Sequence, residues 1–236
     1  MKSWRYQGAR DRDLKRRERR RSTRRETGLV GAFFSLCWWL YVRFYLKLFH
    51  RLEVLGRENL PREPGFIMVS NHSSHLDTLV LAAALPLRWN GHVFPVAAGD
   101  TFFNRPETAW FAANFLNALP LWRSRASAHA LAELRERVIV AEEVLILFPE
   151  GTRSRDGKMA PFKSGIGRLV AGSPVQIVPA KIQGAFEAYA ADRKVPRPHP
   201  ITLRLGPALS FSDLSDDREG WNAIARDLKT AVEMLD

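Results

Sequence analysis

A single cysteine, Cys37, stands among the 236 residues. One thiol can neither close a disulfide within the chain nor build a cysteine-based metal site, so a disulfide scaffold and a zinc-finger type of module are both excluded. Long uncharged apolar runs are also scarce. The segment Thr27–Val42, TGLVGAFFSLCWWLYV, has 16 residues without a charge, short of the roughly 20 that cross a bilayer as a helix. It makes a poor signal peptide, because a long charged region precedes it and no small-residue cleavage site follows. No internal repeat is visible.

Acidic charge is in deficit: 25 Asp and Glu face 36 Lys and Arg, a formal net charge of +11. Most of the excess lies in residues 1–26, where 12 Lys and Arg oppose 4 Asp and Glu. A concentrated basic stretch is attracted to an anionic partner, either nucleic acid or the head groups of a membrane leaflet, and on its composition it is expected to be a disordered tail. The apolar run that follows favours the membrane. Trp38, Trp39, Tyr41 and Tyr45 are side chains suited to the water–lipid boundary, and Arg43 and Lys47 can snorkel to head groups. Residues 27–51 are therefore expected to form a helix dipping into or lying on a membrane, with the basic tail on the cytoplasmic side; a core helix and a span lengthened by snorkelling stay open as alternatives.

From Leu52 onward, short β-rich runs alternate with helical patterns. Candidate strands are 52–56, 66–70, 92–97, 144–148, 175–180 and 201–206, several of them apolar almost throughout, as strands covered on both faces are. Helical spacing marks 77–85, 108–116, 127–140 and 164–171, and a last helix carries the stripe Trp221, Ile224, Ala225, Leu228, Ala231, Val232 and Leu235. The expected fold is α/β, a mostly parallel or mixed central sheet flanked by helices, divided into a tail (1–26), a membrane-associated helical segment (27–51) and one larger domain (52–236). The stretch 192–200, DRKVPRPHP, reads as a Pro-rich loop. Ligands of such sheets gather where strands end, so the chemistry is sought there.

The second strand runs into SNHSSHLDT, Ser70–Thr78. An imidazole is the natural general base near neutral pH, and a carboxylate on its other nitrogen fixes the tautomer and stabilises the imidazolium. His72 and Asp77 suit this pairing only if the chain bends, since five residues of continuous helix set two side chains about 140° apart. Asp77 capping the helix is the structural alternative. His72, His75 and Asp77 form too thin a set for a metal, so no metal site is expected and His75 is read as a support. The fourth strand runs into FPEGTRSRDGKMAPFKSG, Phe148–Gly165. Glu150, Gly151, Thr152 and Arg153 form a turn in which glycine permits close backbone approach and arginine offers a planar fork for phosphate, with Lys158 and Lys163 adding charge. In LPLWRSR, Leu119–Arg125, Arg123 and Arg125 are further phosphate candidates.

Taken in order, these blocks resemble the glycerolipid acyltransferase family that includes the 1-acylglycerol-3-phosphate acyltransferases. The likeness rests on HSSHLD (His72–Asp77), with its His-four residues-Asp spacing, and FPEGTRS (Phe148–Ser154), with LPLWR (Leu119–Arg123) between them and IVPA (Ile177–Ala180) after, over roughly 52–211. It implies the glycerol-3-phosphate acyltransferase-like fold and transfer of a fatty acyl group from acyl-CoA or acyl carrier protein to the hydroxyl of a lysophospholipid, with 1-acyl-sn-glycerol-3-phosphate as the leading acceptor and phosphatidic acid as product. Another lysolipid acceptor, or hydrolysis of a thioester or ester, is the alternative. By this likeness His72 is the base and Asp77 its orienting partner. Glu150, Gly151, Thr152 and Arg153, with Arg123 and Lys163, bind the acceptor. It implies no metal or redox cofactor, no nucleic-acid partner, and a membrane-associated enzyme on the cytoplasmic face. One departure stands out: the family often has an acidic residue before the second block's arginine, where this chain has Trp122.

Overall fold

The run Phe66–Ser70 is buried at every position, as a strand covered on both faces must be. A computed structural model of the chain describes residues 9–122 and 128–235. Their elements, in chain order, are α1 (Arg16–Arg19), α2 (Leu29–Phe49), β1 (Glu53–Leu55), β2 (Phe66–Ser70), α3 (Asp77–Ala84), β3 (Val93–Ala98), α4 (Gly99–Phe102), α5 (Pro106–Asn114), β4 (Leu119–Leu121), α6 (Ala128–Ile139), β5 (Val144–Leu147), α7 (Gly165–Val170), β6 (Gln176–Gln183), α8 (Ala185–Tyr189), β7 (Thr202–Leu205), β8 (Leu209–Ser210) and α9 (Arg218–Glu233).

The strands form one mixed sheet in the order β1-β7-β6-β2-β5-β3-β4, with β8 pairing β6 off that path. Strands β6, β2, β5, β3 and β4 run parallel, whereas β7 and β8 are antiparallel to β6. The period of two along β2 sorts its side chains into two cores: Phe66 and Met68 pack with α2 and α3, and Ile67 and Val69 pack with α6, α7 and α9. Helices thus cover both faces, as the apolar runs predicted. Strand β4 and strand β8 were not expected from the sequence, because Leu-Pro-Leu and Leu-Ser are too short to carry a periodic signal.

Helix α2 is a core element on one side and bare on the other. Ser35, Trp39, Val42 and Leu46 are buried at spacings of four, three and four residues, a narrow stripe packed on the domain. Phe33, Leu40, Tyr41, Phe44 and Leu48 face outward. The inner stripe bears out the core-helix alternative for residues 27–51, and the boundary drawn at residue 52 cuts through a continuous core that includes Trp39, Val42 and Leu46. Arg43, expected to snorkel, instead donates to the carbonyl of Leu85. Among the described residues no helix is long and apolar enough to cross a membrane.

Residues 9–26, expected to be disordered on charge alone, lie against the domain from residue 9 onward. Arg25 is buried, its Nη2 donating to Asn117 Oδ1 at 2.9 Å and to the Ala118 carbonyl at 3.1 Å. Arg137 reaches back, its Nη1 donating to the carbonyls of Thr23 at 2.8 Å and Arg25 at 3.1 Å, while its Nε lies 2.5 Å from Glu143 Oε2. Arg24 pairs with Asp13 through two bonds of 2.9 and 3.0 Å. Carboxylates and carbonyls of this stretch and of the domain take several of the guanidinium donors, which composition counting does not register.

Candidate active site

Strands β2 and β5 are parallel neighbours, with Val69 opposite Leu147, so the turns that leave their C-terminal ends meet. The first of these turns is 71–76. Asn71 anchors it to β6: its Nδ2 donates to the Ile182 carbonyl at 3.0 Å and its Oδ1 accepts the Ile182 amide at 2.9 Å. Sequence reasoning missed Asn71, whose position directly after a buried strand was the available signal.

His72 and Asp77 are brought together as expected, and the required bend is the turn at 73–76. Nδ1 of His72 lies 2.8 Å from Asp77 Oδ2, and the same oxygen accepts the amides of Ser73 at 2.7 Å and Ser74 at 2.8 Å. Asp77 opens α3 and its side chain is fully buried. The carboxylate therefore looks back into the turn rather than capping later amides of α3. With Nδ1–H directed at Asp77, Nε2 is the basic nitrogen, and the tautomer follows from the partners. The ring of His72 stacks on Phe148, centroids 4.0 Å apart at 17°. That contact fixes its plane and lends the leading phenylalanine of FPEGTRS a defined task.

The second turn follows β5. Glu150 is buried, one carboxylate oxygen accepting the amide of His72 at 2.6 Å and the other the amide of Ala160 at 2.8 Å. Burial pushes its pKa up, and the two amide bonds oppose that shift. Its observed partners are thus backbone groups of the site, so it acts as a clamp between the two turns. Ser154 completes the joint, its amide donating to the His72 carbonyl at 2.8 Å. Gly151 has a φ of +74°, and a Cβ there would come within 2.6 Å of Lys163 Nζ. The left-handed backbone favours glycine here, and a side chain would also push the end of Lys163 from its place. Thr152 is exposed at the tip of the turn.

Arg153 extends along the rim and donates to the ring of His75, a short distance along the turn from His72. Lys163 stands beside Gly151 just ahead of α7, and its amide donates to the Pro149 carbonyl at 3.0 Å. Arg153, Gly151 and Lys163 therefore share the rim with His72. Arg123, the cation expected of the second block, and Arg125 lie outside the described residues. Trp122, just before them, covers Gly99, where a Cβ would lie 2.7 Å from the indole. Among the described residues, no group of three or more His, Cys, Asp or Glu is placed to hold a metal ion.

A buried carboxylate paired with an imidazole, with cations on the same rim, lies at the C-terminal ends of two parallel strands, where ligands of such sheets gather. A family model described as Acyltransferase matches residues 51–183, more than half of the chain, and the chain belongs to that family. It is 31% identical over 169 residues to 1-acyl-sn-glycerol-3-phosphate acyltransferase alpha of Ovis aries, covering 71% of this chain and 57% of that protein. It is 29% identical over 175 residues to 1-acyl-sn-glycerol-3-phosphate acyltransferase of Limnanthes douglasii, again covering 71% of this chain and 57% of the relative. The chain thus spans less than two thirds of the length of these relatives. The crystal structure of PlsC, the 1-acyl-sn-glycerophosphate (LPA) acyltransferase from Thermotoga maritima, superposes with a TM-score of 0.65 at 26% identity, covering 84% of this chain and 79% of that one.

Proposed function

We propose that the protein transfers a fatty acyl group from an acyl thioester, acyl-CoA or acyl carrier protein, to the hydroxyl of 1-acyl-sn-glycerol-3-phosphate, giving phosphatidic acid. The observation that carries this reading is the 2.8 Å bond between His72 Nδ1 and a fully buried Asp77 carboxylate, beside the rim occupied by Arg153 and Lys163. An alcohol is a weak nucleophile at neutral pH. Nε2 of His72 takes its proton as the oxygen attacks the thioester carbonyl, and Asp77 stabilises the imidazolium so formed. The tetrahedral carbon then expels sulfur, and the proton held on Nε2 leaves with the thiol. Arg153 and Lys163 receive the acceptor's phosphate and set its hydroxyl near His72. The names of the relatives support this acceptor, and no metal or redox cofactor enters the scheme.

The reading includes a seat on the cytoplasmic face of a membrane, where both lipids reside. Phe33, Phe44 and Leu48 of α2 are 64, 66 and 69% exposed. Ring contacts of Trp38 with Phe111 and of Phe34 with Phe115 join this face to α5, where Trp110 and Phe111 are exposed as well. An apolar surface of this extent, with a basic N-terminal stretch, suits a helix lying in the interface above anionic head groups.

Purified protein given an acyl thioester and a panel of lysophospholipids is expected to release free thiol only with acceptor present. Thiol release independent of acceptor would assign a hydrolase instead.

A further inference from the structure

His75 lies among the four residues that the His72–Asp77 spacing leaves unspecified, and general-base catalysis gives it no task. It is exposed, yet held on three sides. Its ring packs on Tyr189 with centroids 4.6 Å apart. Nε2 is 3.3 Å from the carbonyl of Ala191, and its own amide donates to the Tyr189 carbonyl at 3.3 Å. Ser74 Oγ adds a 2.8 Å bond to the same Tyr189 carbonyl. An exposed imidazole without such a mount would sample several rotamers; this one is fixed by the segment that follows β6.

The fourth contact is with Arg153, whose Nη1 meets the ring and lies 2.6 Å from Nε2. Nη1 lies against both ring nitrogens, and Nε2 also faces the Ala191 carbonyl; a guanidinium N–H this close to the ring finds an acceptor only where one ring nitrogen carries no proton, so the contact needs a neutral imidazole. We propose that His75 is the positioning residue for Arg153: its neutral ring, mounted on Tyr189, holds the guanidinium at the rim in the orientation that receives the acceptor's phosphate.

Several features agree. Burial first, and then the guanidinium of Arg153, hold His75 below the ordinary histidine value, which favours the neutral form that the contact requires. The groups facing the ring are Arg153 from the loop after β5, His72 and Asp77 from its own turn, and Tyr189 from α8. The Ala191 carbonyl and then Asp77 favour the charged ring, but both are outweighed by burial and Arg153, and the Asp77 carboxylate is committed to His72, Ser73 and Ser74. Protonation would set a ring N–H against the guanidinium and release Arg153. The phosphate site is therefore expected to weaken as pH falls, separately from any change in the base.

This inference rests on the acyl-transfer reading, and the two fail in different ways. If the wild-type protein acylates no lysophospholipid, the reading itself falls. Given an active wild-type protein, KM for lysophosphatidic acid and kcat are measured for His75→Ala, His75→Asn, Arg153→Ala and the His75→Ala/Arg153→Ala double variant, between about pH 5.5 and 8. His75→Ala is expected to raise KM about tenfold with kcat within about twofold. Adding it to Arg153→Ala should change nothing further, because the two act as one unit. His75→Asn presents an oxygen near the place of Nδ1 and should restore most of the affinity, without the wild-type rise in KM at low pH. Effects that add in the double variant, a fall in kcat at constant KM, or no recovery in His75→Asn would each overturn the proposal.

Discussion

The two oxygens of Glu150 are spent on two backbone amides, His72 at 2.6 Å and Ala160 at 2.8 Å, so the loop after β5 holds the turn that carries His72. A fully buried amide deprived of its acceptor costs about 1–3 kcal/mol, and these part-buried ones lie toward the lower end. Glu150→Ala orphans both and should lower stability by at least that amount in urea unfolding. Glu150→Gln keeps one acceptor and should fall between the two. Catalysis should decline in step with the loss of His72 placement, through kcat more than KM; equal stability of all three proteins would show that the clamp carries no strain.

Removing the proposed base is the sharper test of chemistry. His72→Ala should lower kcat by roughly 10²-fold or more with the fold intact by circular dichroism. Asp77→Asn can still accept the amides of Ser73 and Ser74, so its fold is expected to survive while the imidazolium loses its counter-charge. A kcat loss of similar order is expected there. Wild-type rates in His72→Ala would refute the mechanism.

Burial also lowers the pKa of His50, whose Nδ1 faces the His199 carbonyl at 3.3 Å and whose Nε2 accepts from the Tyr45 hydroxyl at 3.1 Å. The folded protein disfavours protonation of this ring, while the unfolded chain takes up a proton near pH 6.5. Its contribution is therefore complete above about pH 6.5 and is lost as pH falls below it. The urea midpoint should drop between about pH 7 and pH 5, and His50→Gln should flatten that slope. An unchanged slope in the variant would assign the pH dependence to other groups.

The outward face of α2 predicts vesicle behaviour. Burying a large apolar side chain is worth about 1.5–3 kcal/mol at most, so Phe33→Ser, Phe44→Ser and Leu48→Ser combined should weaken binding to anionic vesicles by about 10²-fold or more. Activity on acceptor dispersed in detergent should persist. Unaltered vesicle binding would refute this face as the landing surface.

Arg25 offers a local test of the docked N-terminal stretch. Arg25→Ala removes the donor to Asn117 and Ala118, and tryptic cleavage within residues 9–26 should accelerate several-fold while the rest of the chain resists. Cleavage at the wild-type rate would mean that other contacts suffice to hold it.

Strand β2 and strand β5 were legible because burial on both faces leaves no room for polar residues, and each run of four or five apolar positions announces itself. The antiparallel return of β7 beside β6 was not, since strand order depends on loop paths that no local pattern encodes. His72 and Asp77 were legible as a pair through their spacing and family likeness, but the bend that joins them depends on Ser73 and Ser74 amides meeting a carboxylate. Glu150 was found and its partners were not: a side chain that bonds to backbone leaves no complementary residue to read. Arg25 was hidden for the same reason among a dozen similar cations.

Helix α2 carries Trp39, Val42 and Leu46 into the same apolar cluster as Phe66 and Met68 of the central strand. The helix proposed to seat the protein on a membrane also walls its interior. A chain shortened to begin at Leu52, in the hope of a membrane-free catalytic unit, would expose the flank of α3 and forfeit part of its own interior. Solubility is better sought by recolouring the outward residues of α2 with polar side chains while keeping its inner stripe.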